Sequence, residues 1–331
     1  MAQLIAKRLL AMVAVLLFLV AVVFTLQRLT PEDPVHAYLG GNASRAAIKV
    51  ERHKLGYDRP LVVQYIRYVD DLIHGNLQMS LRTRRPVSTD LADYLPATLE
   101  LATYGLLLAA VLGGILGLVT AAPFRGSGIF RLIMLIGAST PPFLLALFGI
   151  IVFYHRLNWL PATGRTSLAN PPTGPTGFLT IDTLVHGEWH GFTDAIGHLI
   201  LPSLCIAILP AVSIGRVFRS SLVSTLRTDY IRTARSKGLR EIVVLWRHAI
   251  RNSLGAALSM GGLQVGLMFA GVVVIESIFA WPGIGLYTVQ SIPVADFPAI
   301  AGVTLVLGVG YVLVNSAVDI LQAIADPRIA L

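Results

Sequence analysis

Charge is scarce in this sequence. Only 13% of its 331 residues are Asp, Glu, Lys or Arg and 55% are hydrophobic, against about 25% charged in an ordinary soluble domain. That balance excludes a water-soluble globule and points to a chain embedded in lipid. Cysteine is nearly absent: Cys205 stands alone, which rules out an intrachain disulfide framework. It lies in an apolar segment, where a small packing residue is a better reading than a ligand or nucleophile.

Catalytic patterns are missing too. No Gly-x-x-x-x-Gly-Lys-Ser/Thr run occurs, so the chain has no phosphate-binding loop and cannot hydrolyse ATP by that mechanism. No nucleophile or carboxylate pair stands in a catalytic arrangement, and no string of ionisable residues crosses the apolar segments as a proton relay requires. A non-enzyme without a cofactor of its own is expected, and uphill transport by it needs energy from another chain. His186 and His190 lie four apart, but Gly187 and Gly191 argue against a helix that would align them, and no further ligand set accompanies them. No metal site is expected.

What the chain does have is apolar length. Residues 9–26 are uncharged and follow Lys7 and Arg8; as a helix they span roughly 27 Å. Thr25-Leu26-Gln27-Arg28 offers no small-residue cleavage site, so the segment reads as a retained helix, not a signal peptide. Further charge-free stretches run over 101–124, 132–155, 199–215, 253–275 and 297–318. Together they predict an all-α integral membrane protein with six transmembrane helices. Gly113, Gly114 and Gly117 permit close helix contact, and Pro141-Pro142 should kink the third span.

This divides the chain into a first transmembrane helix at 1–27, an insertion at 28–95 and a five-helix core at 96–331. Within the insertion, Leu61, Val62, Tyr65, Ile66, Val69, Leu72 and Ile73 recur at helical spacing between Asp58-Arg59-Pro60 and Gly75, predicting an amphipathic helix. The core contains a basic run at 216–252 with nine Lys/Arg against Asp229 and Glu241. Such a loop belongs on the cytoplasmic side. Alternation then places the insertion outside between spans 1 and 2, both termini in the cytoplasm, and 281–296, which has no Lys/Arg, outside. The insertion carries ten Lys/Arg, but loops longer than about 60 residues escape the charge rule. The net charge of +8 is largely concentrated in the basic run, so topology accounts for it without a nucleic-acid partner.

Inside the run, 229–237 reads as a short helix with Asp229 at its start, capping free N–H groups, and Gly238 as its left-handed stop. From Arg240, the residues Ile242, Val243, Leu245, Trp246, Ala249 and Ile250 share one helical face, opposite Arg240, Arg247 and Arg251. On charge alone a solvated loop that merely enforces topology, or a helix lying on anionic lipid, also stays open. Glu276 is the sharpest acid near a span: a charge at a helix centre costs roughly 2.5 to 3.5 kcal/mol, so it should face protein, a pathway, or water near Trp281-Pro282-Gly283. Asn315 and Asp319, near the inner end of the last span, read as capping or helix-contact residues.

The run Asp229-Tyr230-Ile231-Arg232-Thr233-Ala234-Arg235-Ser236-Lys237-Gly238-Leu239, followed by Arg247-His248-Ala249-Ile250-Arg251-Asn252, resembles the "EAA" cytoplasmic loop of ABC importer permeases, in the version of dipeptide and oligopeptide permeases. The same family is resembled in Leu55-Gly56-Tyr57-Asp58-Arg59-Pro60-Leu61, Gly75-Asn76-Leu77-Gln78-Met79-Ser80-Leu81, Leu95-Pro96-Ala97-Thr98-Leu99-Glu100-Leu101, Trp159-Leu160-Pro161-Ala162-Thr163-Gly164, Glu276-Ser277-Ile278-Phe279-Ala280-Trp281-Pro282-Gly283 and the closing Asp326-Pro327-Arg328-Ile329. The family usually has Asp where Asn76 stands and Gly where Gln78 stands. It also has Leu-Pro where this chain has Gly255-Ala256, so the fifth span should start without a proline kink.

This resemblance implies a permease subunit of an ATP-driven importer in the bacterial inner membrane, forming half of a pathway for di- or oligopeptides. It implies a homologous second permease subunit, two cytoplasmic ATPase subunits that carry ATP and Mg, and an external substrate-binding protein. Asp229, Tyr230, Arg232, Thr233, Ala234, Arg235 and Gly238 fall on the coupling helix; Glu276, Trp281 and Pro282 fall near the outer mouth of the pathway. Nickel-chelate and glutathione permeases belong to the same family. A self-contained secondary transporter or channel is the competing class, which fused inverted halves or intramembrane charges would support; neither is found.

Overall fold

Inside lipid a backbone finds no water to bond, so long apolar runs satisfy themselves as helices. The computed structural model describes residues 2–29, 44–54, 56–121 and 127–325. In order they form α1 (Ala2–Leu29), α2 (Arg45–Lys54), α3 (Leu61–Ile73), α4 (Val87–Ala121), α5 (Ser127–Ser139), α6 (Pro142–Gly149), α7 (Leu179–Val185), α8 (Trp189–Leu226), α9 (Asp229–Ser236), α10 (Glu241–Ile278), α11 (Ile284–Ser291) and α12 (Phe297–Ala325). α6 runs on into a π-helical turn, Ile150–Arg156. Among the described residues the isolated pairing is one antiparallel bridge, Met79 to Pro86.

Four helices, α4, α8, α10 and α12, are long and apolar enough to cross a membrane, and α5 with α6 makes a fifth if the bent pair is one span. The apolar stretch of α1, Met12–Arg28, is shorter. The bend between α5 and α6 is 106°, far more than the kink expected of Pro141-Pro142. Two adjacent prolines remove two donors and push Thr140 out of helical geometry, so the chain turns a corner there. Pro96, Pro202 and Pro210, by contrast, lie inside α4 and α8 without ending them. The sites expected at Leu55 and at Asp326-Pro327-Arg328-Ile329, and the side chain of Asp319, lie outside the described residues.

The chain divides into two compact units, Met1–Leu95 with Gly283–Val312, and Pro96–Pro282 with Leu313–Leu331. In the first, α3 stands where its periodicity puts it. It ends in a Schellman turn, with Gly75 at φ +76°, its N–H bonded to Leu72 O (3.0 Å), and the Asn76 N–H bonded to Asp71 O (2.8 Å). Tyr65, Tyr68, Val69 and Leu72 pack with Val20 and Phe24 of α1 and Leu305 of α12. The rest of the expected apolar face is not covered: Leu61, Val62, Ile66 and Ile73 are exposed.

In the second unit α4 lies against α8 along a seam of small residues. A Cβ added at Gly113 would sit 2.8 Å from Ala211 O, one at Gly117 2.7 Å from the Phe218 ring, and one at Gly215 3.1 Å from Gly113 O. Gly113 and Gly117 thus serve the close approach expected of them, whereas Gly114 faces nothing within 4 Å. Cys205 is buried in the apolar cluster that these helices share with α6 and α10. Gly191, expected to break a helix, lies in the first turn of α8 against Thr183. Gly187 does make the break, at φ +71°, and leaves His186 at the end of α7 and His190 at the start of α8.

Candidate functional site

The interior of the basic run, beyond the end of α8, folds as two helices separated at one glycine. α9 closes with the Gly238 N–H on Arg235 O (2.9 Å) and the Leu239 N–H on Ala234 O (3.4 Å), and Gly238 sits at φ +76°. That is a Schellman end, the left-handed position that glycine occupies without steric penalty. At the other end Thr228 holds the cap position and makes no side-chain cap bond. Asp229 therefore does not cap as expected; it stands in the first turn, where a carboxylate suits the helix dipole, and meets Arg232 at 3.3 Å.

Two residues three apart, Ile231 and Ala234, turn inward and join a cluster with Phe218 and Leu222 of α8 and Val244, Ala249, Ile250 and Ala257 of α10. Tyr230, Arg232, Thr233 and Arg235 face outward. Two polar links fix this short helix to its neighbour. The Asn252 amide donates to the Tyr230 hydroxyl (3.0 Å) and to His248 O (2.8 Å). Arg235 donates twice to Glu241, at 2.7 and 3.2 Å, across the Gly238 break, and this hydrogen bonding pushes its guanidinium pKa further up. Farther in, Ser253 bonds Thr225 at 3.1 Å. A shallow groove of about 370 Å³ opens alongside, lined by Tyr230, Thr233, Ala234, Lys237, Leu239 and His248.

The second helix differs from expectation. Residues Val244–Ile250 form a π-helical turn at the start of α10, and the amphipathic segment continues unbroken into the fifth apolar stretch. A wider turn rotates the face relative to a 3.6-residue period. Val244, Ala249 and Ile250 are buried, while Ile242 and Trp246 are 58% and 60% exposed. Arg240, Arg247 and Arg251 remain exposed, as their spacing requires. Gly255-Ala256 sits within a continuous helix, in keeping with the absence of proline there.

Glu276 and Trp281 lie elsewhere in the same unit, deeply buried at 0% and 1% exposure, with Pro282 partly buried. Glu276 does not reach water. The Thr98 hydroxyl donates to its carboxylate at 2.6 Å, and the Trp281 N–H to its carbonyl at 2.9 Å. Ala280, at φ +47°, makes the turn that sends Phe279 and Trp281 both inward. The Trp281 indole N–H then bonds Ala97 O at 2.9 Å.

A model described as the binding-protein-dependent transport system inner membrane component family matches residues 109–331, and the model of its N-terminal part matches residues 1–102. The chain belongs to this family. Its curated relatives mark it as a permease of the ABC dipeptide type. It is 42% identical to the probable D,D-dipeptide transport system permease protein DdpB of Escherichia coli (strain K12), over 93% of this chain and 92% of that one. It is 38% identical to the dipeptide transport system permease protein DppB of Alkalihalophilus pseudofirmus, over 98% of each. It is 40% identical to the di/tripeptide transport system permease protein DppB of Pseudomonas aeruginosa (strain UCBPP-PA14), over 99% of each.

Two features of this permease were not foreseen from its sequence. One is the Arg235–Glu241 strap, whose spacing of six matches no helical pair because the chain turns between them. The other is a buried ion pair, Glu100 with Arg165. Glu100 accepts from Arg165 Nε (2.9 Å) and Nη2 (2.5 Å) and from the N–H and hydroxyl of Thr180 (2.9 and 2.7 Å), and Arg165 Nη2 also donates to Gly177 O. The Arg165 guanidinium stands 5.9 Å from the Trp281 ring centroid. Both residues adjoin segments that resemble the family, Thr98-Leu99-Glu100 and Thr163-Gly164, which was the available signal.

Proposed function

We propose that this chain is the permease subunit of an ATP-driven importer of di- or oligopeptides, and that α9 is the element through which ATPase subunits act on it. The observation that carries this is the construction of α9: inward residues fused to the cores of α8 and α10, outward residues exposed with Arg232 and Arg235 among them, and a glycine-closed end that sets it off as a discrete body. An element pushed from outside moves spans only if it cannot slide on them, and the Tyr230–Asn252 bond and the Ile231–Ala234 packing supply that attachment. Asp229, Tyr230, Arg232, Thr233, Ala234, Arg235 and Gly238 are then the coupling residues.

In this reading α1, α4, the α5–α6 pair, α8, α10 and α12 are six spans of a bacterial inner-membrane protein. Both termini and the basic run are cytoplasmic, and 28–95 is an external insertion. Glu276, Trp281 and Pro282 stand near the outer end of the pathway half. A homologous permease subunit supplies the other half, an external binding protein delivers peptide, and ATP and Mg belong to two ATPase partners while this chain performs no catalysis. Dipeptide-type relatives support the peptide assignment.

The test is a pull-down of the intact membrane complex, with ATPase activity assayed for wild type and for a variant in which Arg232-Thr233-Ala234-Arg235 is scrambled. Copurification of ATPase subunits with wild type alone is expected. If no ATPase accompanies either form, the importer reading fails.

A further inference from the structure

The helix α3 has three sides, not two. At 100° per residue Tyr68, Leu72, Tyr65 and Val69 form one sector, and that sector packs on α1 and α12. Arg67 and Asp70 are exposed on the opposite side. Between them Val62, Ile66 and Ile73 fall within an arc of about 40° and are 69%, 61% and 77% exposed. A compact water-soluble insertion would not turn three aliphatic side chains outward in one row.

Depth says what meets them. Leu305, which shares the cluster with Tyr68, lies eight residues into α12, which begins at Phe297; at 1.5 Å per residue that is roughly 12 Å along the helix. On α1, the Tyr65 hydroxyl donates to Leu17 O at 3.4 Å and the Tyr65 ring meets Phe24 at 5.4 Å. Leu17 is eleven residues from Arg28, again roughly 16 Å along the helix. Arg28 itself stacks over Tyr57 at 4.3 Å, just before α3 begins. A guanidinium and a tyrosine together mark the headgroup level, and the middle of α3 sits well below it. At this depth α1 exposes Leu17, Phe18 and Val22, so the aliphatic row on α3 continues a surface of the same chemistry.

We propose that α3 lies within the membrane, at the leaflet where the Arg28 end of α1 emerges, and that its Val62–Ile66–Ile73 edge binds lipid acyl chains. Its three sectors then face protein, hydrocarbon and headgroup water in turn, the arrangement of an interfacial amphipathic helix. Which leaflet this is rests on the proposed topology; the coupling role of α9 does not enter.

Nitroxide labels at Ile66→Cys and Asp70→Cys test this in the full-length protein, with the subunits that copurify, in phosphatidylethanolamine–phosphatidylglycerol vesicles. Cys205 is 3% exposed and stays unlabelled. Collision of the Ile66 label with oxygen is expected to exceed collision with a water-soluble nickel chelate, because oxygen partitions into hydrocarbon and the chelate does not, with the order reversed at Asp70. Nickel-dominated collision at Ile66 means a water-exposed insertion, and low collision with both reagents means a protein partner covers the row; either overturns the proposal. Ile66→Trp needs no label: read as the difference from wild type, whose four tryptophans also fluoresce, its added emission should be quenched by bromines on the acyl chains, and absence of quenching of that increment counts against the proposal.

Discussion

Charge is handled in opposite ways at the two ends of the second unit. Near Trp281 the charges are buried and consumed internally: Glu100 takes four hydrogen bonds from Arg165 and Thr180, and Glu276 is bonded by Thr98. Around α9 the charges are exposed and in excess, and apart from the Arg235–Glu241 strap and the Asp229–Arg232 contact little of the basic surface is neutralised by the described residues of the chain itself. The first pattern holds structure together; the second leaves electrostatic attraction for something outside the chain.

Four substitutions press on that difference. The largest effect is expected from Arg165→Ala, which strands a buried carboxylate and should cost about 3–5 kcal/mol, read as a fall in the thermal midpoint of the purified protein; a neutral result would mean the pair is not buried in the folded protein. Thr98→Val removes the donor to Glu276 and should cost about 1–3 kcal/mol in the same assay. Gly238→Val meets open space but a left-handed backbone, so stability should drop by only about 1–2 kcal/mol, while peptide-stimulated ATPase activity falls much further. Full stimulated activity in that variant would sink the coupling role. Arg232→Ala should shift stability by less than about 0.5 kcal/mol yet weaken ATPase copurification at low salt, and the difference from wild type should shrink as salt is raised.

Much of this was visible in the residues. Asp58-Arg59-Pro60 and Gly75 bracket α3, Gly238 ends α9, and the apolar runs mark α4, α8, α10 and α12. Glycine stops are legible because only one residue type takes the left-handed turn cheaply. The Glu100–Arg165 pair was not legible: sixty-five positions separate its members, and nothing local pairs them. Nor was the π-helical turn, since every face drawn from Arg240 onward assumed a 3.6-residue period. At the Gln78 turn the sequence held more than was drawn from it. Where the family usually has Gly, Gln78 stands at φ +67°, so Gln78→Gly should raise stability by roughly 0.5–1 kcal/mol, a gain measurable as a higher thermal midpoint.

Gly113 and Gly215 put one helix backbone directly against another, each with its missing Cβ aimed at a main-chain oxygen across the seam. Side chains can swing aside or repack when helices shear; peptide oxygens cannot. α4 and α8 are therefore geared as a single stiff piece along this contact. Any rocking that opens one side of the membrane and closes the other has to carry the pair as a whole, with the slip taken up at softer boundaries.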